Sequence, residues 1–176
     1  ADMIRLAKGF GCEGIGLCRT ERQFNAPERL SAIREYIMAR TPSEKTEAIE
    51  ILRGFQEEDF AAIFRELDGL PIIIRLLDLP LHEFLPSETE ATVPRVREMV
   101  RELREVNPMI GHRGVRLGVT NPEIYRMQIR AILEAAAELI RAGKKALPEI
   151  MIPVTCDAAE LDHQLRIVEK VHAEVA

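Results

Sequence analysis

Tryptophan is absent, and aromatic residues make up only 5% of the 176 residues. A core must therefore be aliphatic, and the 47% hydrophobic content is enough to build one domain or part of one. Positive charge is not in excess: 24 Lys and Arg stand against 29 Asp and Glu, for a net charge of -5. That excludes a broad nucleic-acid face, which needs a basic surface, but not a local basic pocket for an anionic metabolite. Cysteine is scarce. Cys12, Cys18 and Cys156 are odd in number and lack zinc-ligand spacing, so they read as reduced thiols in a cytoplasmic protein. No run approaches the ~20 apolar residues of a membrane span, and no secretory signal is present. There is no Gly-x-x-x-x-Gly-Lys phosphate loop, no carboxylate cluster for a metal, and no His-Glu-x-x-His around His82 and Glu83.

What is present centres on two short apolar runs that each carry an arginine near the C-terminal end. The first is Ile15-Gly16-Leu17-Cys18-Arg19, followed by Thr20 and Glu21; the second is Ile72-Ile73-Ile74-Arg75-Leu76-Leu77-Asp78. An arginine in an apolar strand is costly unless it meets an anion. Two of them on neighbouring parallel strands would make a fork for a phosphate or carboxylate.

The intervening segments have helical spacing. Met3, Ile4, Ala7 and Phe10 form one apolar stripe, closed by Gly11. Pro27 opens a helix with Leu30, Ile33 and Ile37 inward, and Thr41-Pro42-Ser43 starts another with Ala48, Ile51, Leu52 and Phe55. The latter continues through Phe60, Ile63, Phe64 and Leu67 to a stop at Asp68-Gly69. Residues 79–93 read as a Pro-bracketed loop and a polar stretch, 94–106 as a short helix, and 107–119 as a Gly-rich loop. Thr120-Asn121-Pro122-Glu123 predicts a capped helix start running to Arg141, with Gly143 as the stop. Residues 150–154 form the third strand, and Asp157 with Glu160 caps a last helix with Leu161, Leu165, Val168 and Val171 inward.

Strands alternating with helices predict an α/β fold with a parallel sheet. The unbroken apolar run at 72–77 predicts burial on both faces. Three strands cannot close a barrel of about 250 residues. The expected architecture is a small open sheet or a slice of a barrel, and a slice would self-associate through its uncovered surfaces. Helical pattern at both ends makes the chain read as a piece of a larger protein.

Ligands of parallel α/β folds bind at the C-terminal strand ends, where Arg19 and Arg75 fall. They either grip a small phosphorylated acid or staple loops by pairing with acids such as Glu21 and Asp78. Gly111-His112-Arg113-Gly114 suits close backbone approach to a phosphate, or is only a turn with surface charges. His112 is a proton carrier or a solvated loop side chain. Cys18 could reach the site, but nothing in the sequence activates it.

These residues, taken together, resemble a known family. Gly14 to Glu21, Ile74 to Pro86 with its Leu-His-Glu-Phe-Leu-Pro, Asn107 to Leu117, and Pro148 to Val154 look like the pyruvate, phosphate dikinases of the PEP-utilising enzymes. The resemblance covers residues 1–176, which would be a piece of the C-terminal phosphoenolpyruvate- and pyruvate-binding domain. It implies a partial (β/α)8 TIM barrel of about three parallel strands with many flanking helices. The implied enzyme interconverts ATP, phosphate and pyruvate with AMP, pyrophosphate and phosphoenolpyruvate. A phosphohistidine on a swivelling domain carries the phosphoryl group.

By resemblance, Arg19 and Arg75 match arginines that bind the substrate's phosphoryl group, and Arg113 a further basic residue of that site. The family's Mg2+ ligands, a Glu and an Asp, and its enolate-protonating cysteine fall on strands outside this chain. The resemblance thus implies that the piece is inactive alone. Phosphoenolpyruvate synthase, enzyme I of the sugar phosphotransferase system and a non-catalytic binding module remain the alternatives. The expected partners are the substrate, the swivelling domain and further copies of the chain.

Overall fold

The computed structural model describes residues 2–107 and 109–176. Three parallel strands, β1 (Ile15–Arg19), β2 (Pro71–Arg75) and β3 (Leu147–Met151), lie in the order β1-β2-β3. The helices are α1 (Asp2–Gly9), α2 (Pro27–Met38), α3 (Pro42–Leu67), α4 (Pro94–Leu103), α5 (Val115–Thr120), α6 (Pro122–Arg141) and α7 (Ala158–Val175). Short 3-10 helices at Thr20–Phe24 and Leu81–Phe84 follow β1 and β2. The α/β class and three parallel strands are as the sequence predicts. Among the described residues no helix is long and apolar enough to cross a membrane.

Local chemistry sets most boundaries. Thr41 and Glu44 form a reciprocal capping box at the start of α3, with Pro42 at its first turn. Asp68 and Gly69, both at positive φ, end it. Asp157 and Glu160 cap α7 in the same reciprocal way. α6 begins at Pro122 and stops before Gly143 (φ 77°) as predicted. Its expected cap bond is not made: the Asn121 carboxamide oxygen instead accepts from the Tyr36 hydroxyl at 3.2 Å.

One core holds the layers together. α3 and α6 pack most extensively on each other, and Phe60, Phe64, Leu67, Tyr36, Tyr125, Ile129 and Ile132 are buried with Ile72 and Ile74 of β2.

The strands are covered on one face only. Ile72 and Ile74 face the helices, whereas Ile73 and Arg75 are half-buried and Pro71 is exposed. On the neighbours, Leu17, Arg19, Leu147, Glu149 and Met151 are exposed. The prediction of burial on both faces is thus corrected. The apolar run continues because Leu76 and Leu77 leave the strand and turn into the core, not because two layers sandwich it.

Further expectations are corrected by position. Met3 and Phe10 of the α1 stripe, Ile51 of α3, and Leu161 and Leu165 of α7 are exposed; only part of each apolar face finds a partner. The loop predicted at 107–119 contains most of α5, and the strand predicted at 150–154 instead spans Leu147–Met151. Pro108, inside the expected Gly-rich loop, lies outside the described residues.

Candidate functional site

The parallel register places Arg19 opposite Arg75, and Arg75 opposite Met151, at the C-terminal end of the sheet. Paired positions in a parallel sheet share a face, so Arg19 and Arg75 stand on the open side.

Arg75 meets two acids. Its Nη2 donates to Glu21 Oε1 at 3.1 Å, and its Nη1 lies 3.1 Å from Asp78 Oδ2. Its Nε is buried without a partner among the described residues. Arg113 arrives from the loop before α5 and grips Asp78 in a two-pronged pair: Nε to Oδ1 and Nη2 to Oδ2, each at 3.0 Å. The Asp78 carboxylate holds the Arg113 guanidinium above its ordinary pKa. Asp78 is thus shared by both guanidiniums, and it is 3% exposed. Glu21 also accepts the Asp78 backbone N–H at 2.9 Å, and Thr20 Oγ1 donates to the Arg75 carbonyl at 3.0 Å.

Arg19 is different. It is exposed and makes no hydrogen bond or ion pair among the described residues. Of the three predicted site residues, Arg75 and Arg113 are brought together on one carboxylate. Arg19 stands beside them across the strand pair.

Gly114 makes the approach of Arg113 possible. It has φ 56°, and a Cβ there would lie 2.9 Å from the Pro153 carbonyl and 3.1 Å from Asp78 Oδ1. The loop is pinned to the segment just after β3 by the Val115 N–H on the Pro153 carbonyl at 2.9 Å. The adjoining Val154 has φ 59°, a strained value for a β-branched residue.

The remaining candidates stand apart from this cluster. His112 Nε2 sits 2.6 Å from Thr120 Oγ1. Burial, then Glu21 and Asp59, push the Cys18 thiol up to about 11, so it is a protonated, unreactive thiol at neutral pH. Cys156 is exposed. Among the described residues no group of three or more His, Cys, Asp or Glu is arranged to hold a metal. Glu21 Oε1 accepts from both Arg75 and the Asp78 N–H, and both Asp78 oxygens face guanidiniums.

Sequence reasoning named Glu21 and Asp78 as possible ion-pair partners but missed the supporting layer. Gln128 Oε1 accepts the Leu77 N–H at 2.8 Å, and the Tyr125 hydroxyl donates to the Leu77 carbonyl at 2.8 Å. A signal was available: Gln128 sits four residues from both Ile124 and Ile132, in the middle of the apolar face of α6, where a polar side chain must find a partner.

This geometry can be set beside known proteins. The family model described as PEP-utilising enzyme, PEP-binding domain, matches residues 1–176. The chain belongs to that family. A pyruvate, phosphate dikinase of Entamoeba histolytica is 48% identical over 99% of this chain and 22% of that protein. The Giardia intestinalis pyruvate, phosphate dikinase is 46% identical over 97% of this chain and 20% of its own length. The chloroplastic one of Flaveria trinervia is 44% identical over 96% and 19%. The chain therefore spans about a fifth of the length of these relatives, and the resemblance read from the motifs is supported at the level of the family.

Proposed function

We propose that this chain is the arginine-bearing part of the phosphoryl-binding site of a pyruvate, phosphate dikinase. In this reading it works within a longer protein that interconverts ATP, phosphate and pyruvate with AMP, pyrophosphate and phosphoenolpyruvate. The observation that carries the reading is the placement of Arg75 and Arg113 on one buried carboxylate, with exposed Arg19 in register beside them. Glu21 and Asp78 balance the charges of Arg75 and Arg113, which leaves Arg19 without an ion-pair partner among the described residues at the C-terminal strand ends. A phosphoryl dianion would take the Arg19 guanidinium and the N–H groups of Arg75 that the carboxylates leave over.

Phosphoryl transfer asks a protein mainly for positioning and charge stabilisation. This cluster supplies both on the substrate's phosphoryl oxygens. The resemblance assigns Mg2+ to ligands beyond this chain. Phosphoenolpyruvate and pyruvate are the proposed ligands, and a phosphohistidine-bearing swivelling domain is the proposed partner. The proposed location is the cytoplasm; several relatives are named as chloroplastic.

One observation favours a second reading. Arg75 is already paired with Glu21 and Asp78, as a purely structural staple would be. Titration of the chain with phosphoenolpyruvate, followed by backbone NMR, separates the two. Shifts at Arg19, Arg75 and Arg113 that vanish in Arg75→Ala support the phosphoryl site. In the intact dikinase, Arg75→Ala is expected to lower turnover while leaving the fold in place. Wild-type turnover in that variant would leave only the staple.

A further inference from the structure

The arginine pair is held by residues that phosphoryl binding itself does not use. Leu77 is the residue just before Asp78, and both of its main-chain polar groups are taken by α6. Tyr125 and Gln128, one turn apart, bind its carbonyl and its N–H. Both side chains are fully buried, at 0% exposure. The far end of Gln128 donates to Gln56 Oε1 at 2.9 Å, and Gln56 donates to Gln23 Oε1 at 2.7 Å. The row of amides runs in one sense from the Leu77 N–H, so each bond polarises the next. The Tyr125 ring is seated on Gly118, where a Cβ would lie 2.5 Å from it.

An aliphatic residue at position 128 would fill the same space with no partner to find. A buried amide that ends on one backbone N–H fixes where that backbone lies. The next N–H, that of Asp78, is held by Glu21. Two successive peptide groups are thus fixed immediately before the carboxylate that both arginines share.

We infer that Tyr125 and Gln128 are positioning residues for the arginine pair: by clamping Leu77 they set where Asp78 presents its carboxylate, and through it the spacing of Arg75 and Arg113. The effect on ligand binding rests on the phosphoryl-site reading; the effect on the arginines does not.

The test reads the two effects separately. In the 176-residue chain without ligand, the Nε–H NMR signal of Arg113 reports its bond to Asp78. Tyr125→Phe removes one hydroxyl and keeps the ring. It is expected to shift that signal, to quicken its exchange with water severalfold, and to weaken phosphoenolpyruvate binding about five- to tenfold, the worth of one hydrogen bond. Gly118→Ala, which displaces the ring, should do the same. In an Asp78→Asn background, Tyr125→Phe should change binding by less than about twofold, because both act through one carboxylate.

Leu139→Ala, at the far end of α6, is the control for general loosening. It should lower Tm without moving Arg113. An unmoved Arg113 signal in Tyr125→Phe would overturn the inference, and so would an equal shift in Leu139→Ala. If Arg113 moves as expected while the wild-type chain and the intact protein bind no phosphoenolpyruvate, the positioning stands and the phosphoryl-site reading falls.

Discussion

Arg113 reaches across 35 positions of sequence to place two parallel hydrogen bonds on Asp78, both at 3.0 Å. Only a planar guanidinium spans both oxygens of one carboxylate, so lysine is not a conservative replacement here. Arg113→Lys is expected to weaken phosphoenolpyruvate binding and to lower stability by about 1 kcal/mol. Calorimetry with and without ligand checks both, and a variant equal to wild type in each would remove the fork from the site.

Removing the shared anion should cost more than removing one cation. Asp78→Ala leaves Arg75 and Arg113 without their common partner in a mostly buried setting. The expected loss is roughly 2–4 kcal/mol, toward the lower side for a buried pair because both guanidiniums keep some solvent. Urea denaturation measures it. Arg19→Ala should fall within about 0.5 kcal/mol of wild type, since its side chain is exposed and unpaired among the described residues. The same Arg19 variant should lose phosphoenolpyruvate binding, which separates charge supplied to a ligand from charge spent on the fold.

Gly114 is fixed by both conformation and space. Gly114→Ala adds a Cβ at positive φ, 2.9 Å from a backbone carbonyl. Destabilisation of about 1–3 kcal/mol is expected, together with weakened Arg113 contacts. A thermal melt unchanged from wild type would show that the loop adapts at no cost.

The raised pKa of Cys18 has a definite sign in stability. The unfolded thiol titrates near 9.0 and the folded one near 11. Between these values the unfolded chain has lost its proton while the native chain keeps it, so stability is full below pH 9 and falls as the pH rises toward 11. Cys18→Ala should flatten that part of the stability profile. Alkylation followed by mass spectrometry should modify exposed Cys156 well before Cys18.

Exposed Leu161 and Leu165 on α7, Met3 on α1 and Phe10 just after it leave apolar surface in water. The chain on its own is expected to self-associate, and Leu161→Glu with Leu165→Lys should shift it toward monomer in sedimentation velocity runs. A clean wild-type monomer at all concentrations would contradict this.

The fold was legible in the sequence where a local device set it: the Thr41 and Asp157 capping boxes, Gly143, and the proline starts. It was not legible where a distant contact decided. Ile51 and Leu161 have the right spacing for burial, but a helical stripe does not say how much of it finds a neighbour. α5 was hidden because Gly118 discourages a helix until the Tyr125 ring is laid against it. At the site, Arg19 and Arg75 could be picked out as costly cations needing anions, whereas Arg113 was marked only by its Gly-rich loop and the family resemblance. That one carboxylate serves both Arg75 and Arg113 depends on Gly114 meeting the segment just after β3, a long-range fact that no local pattern encodes.

The parallel sheet also governs how quickly this chain can reach its native state. Thr20 meets the Arg75 carbonyl across 55 positions, and β3 pairs with β2 across a still longer stretch. Neither seam can close until the intervening helices have drawn distant strands together, and the loop entropy is lost before the contacts form. Despite its helix content, the chain should refold at the slower pace of mixed α/β domains, with β2, flanked on both edges, as the strand that waits for both neighbours.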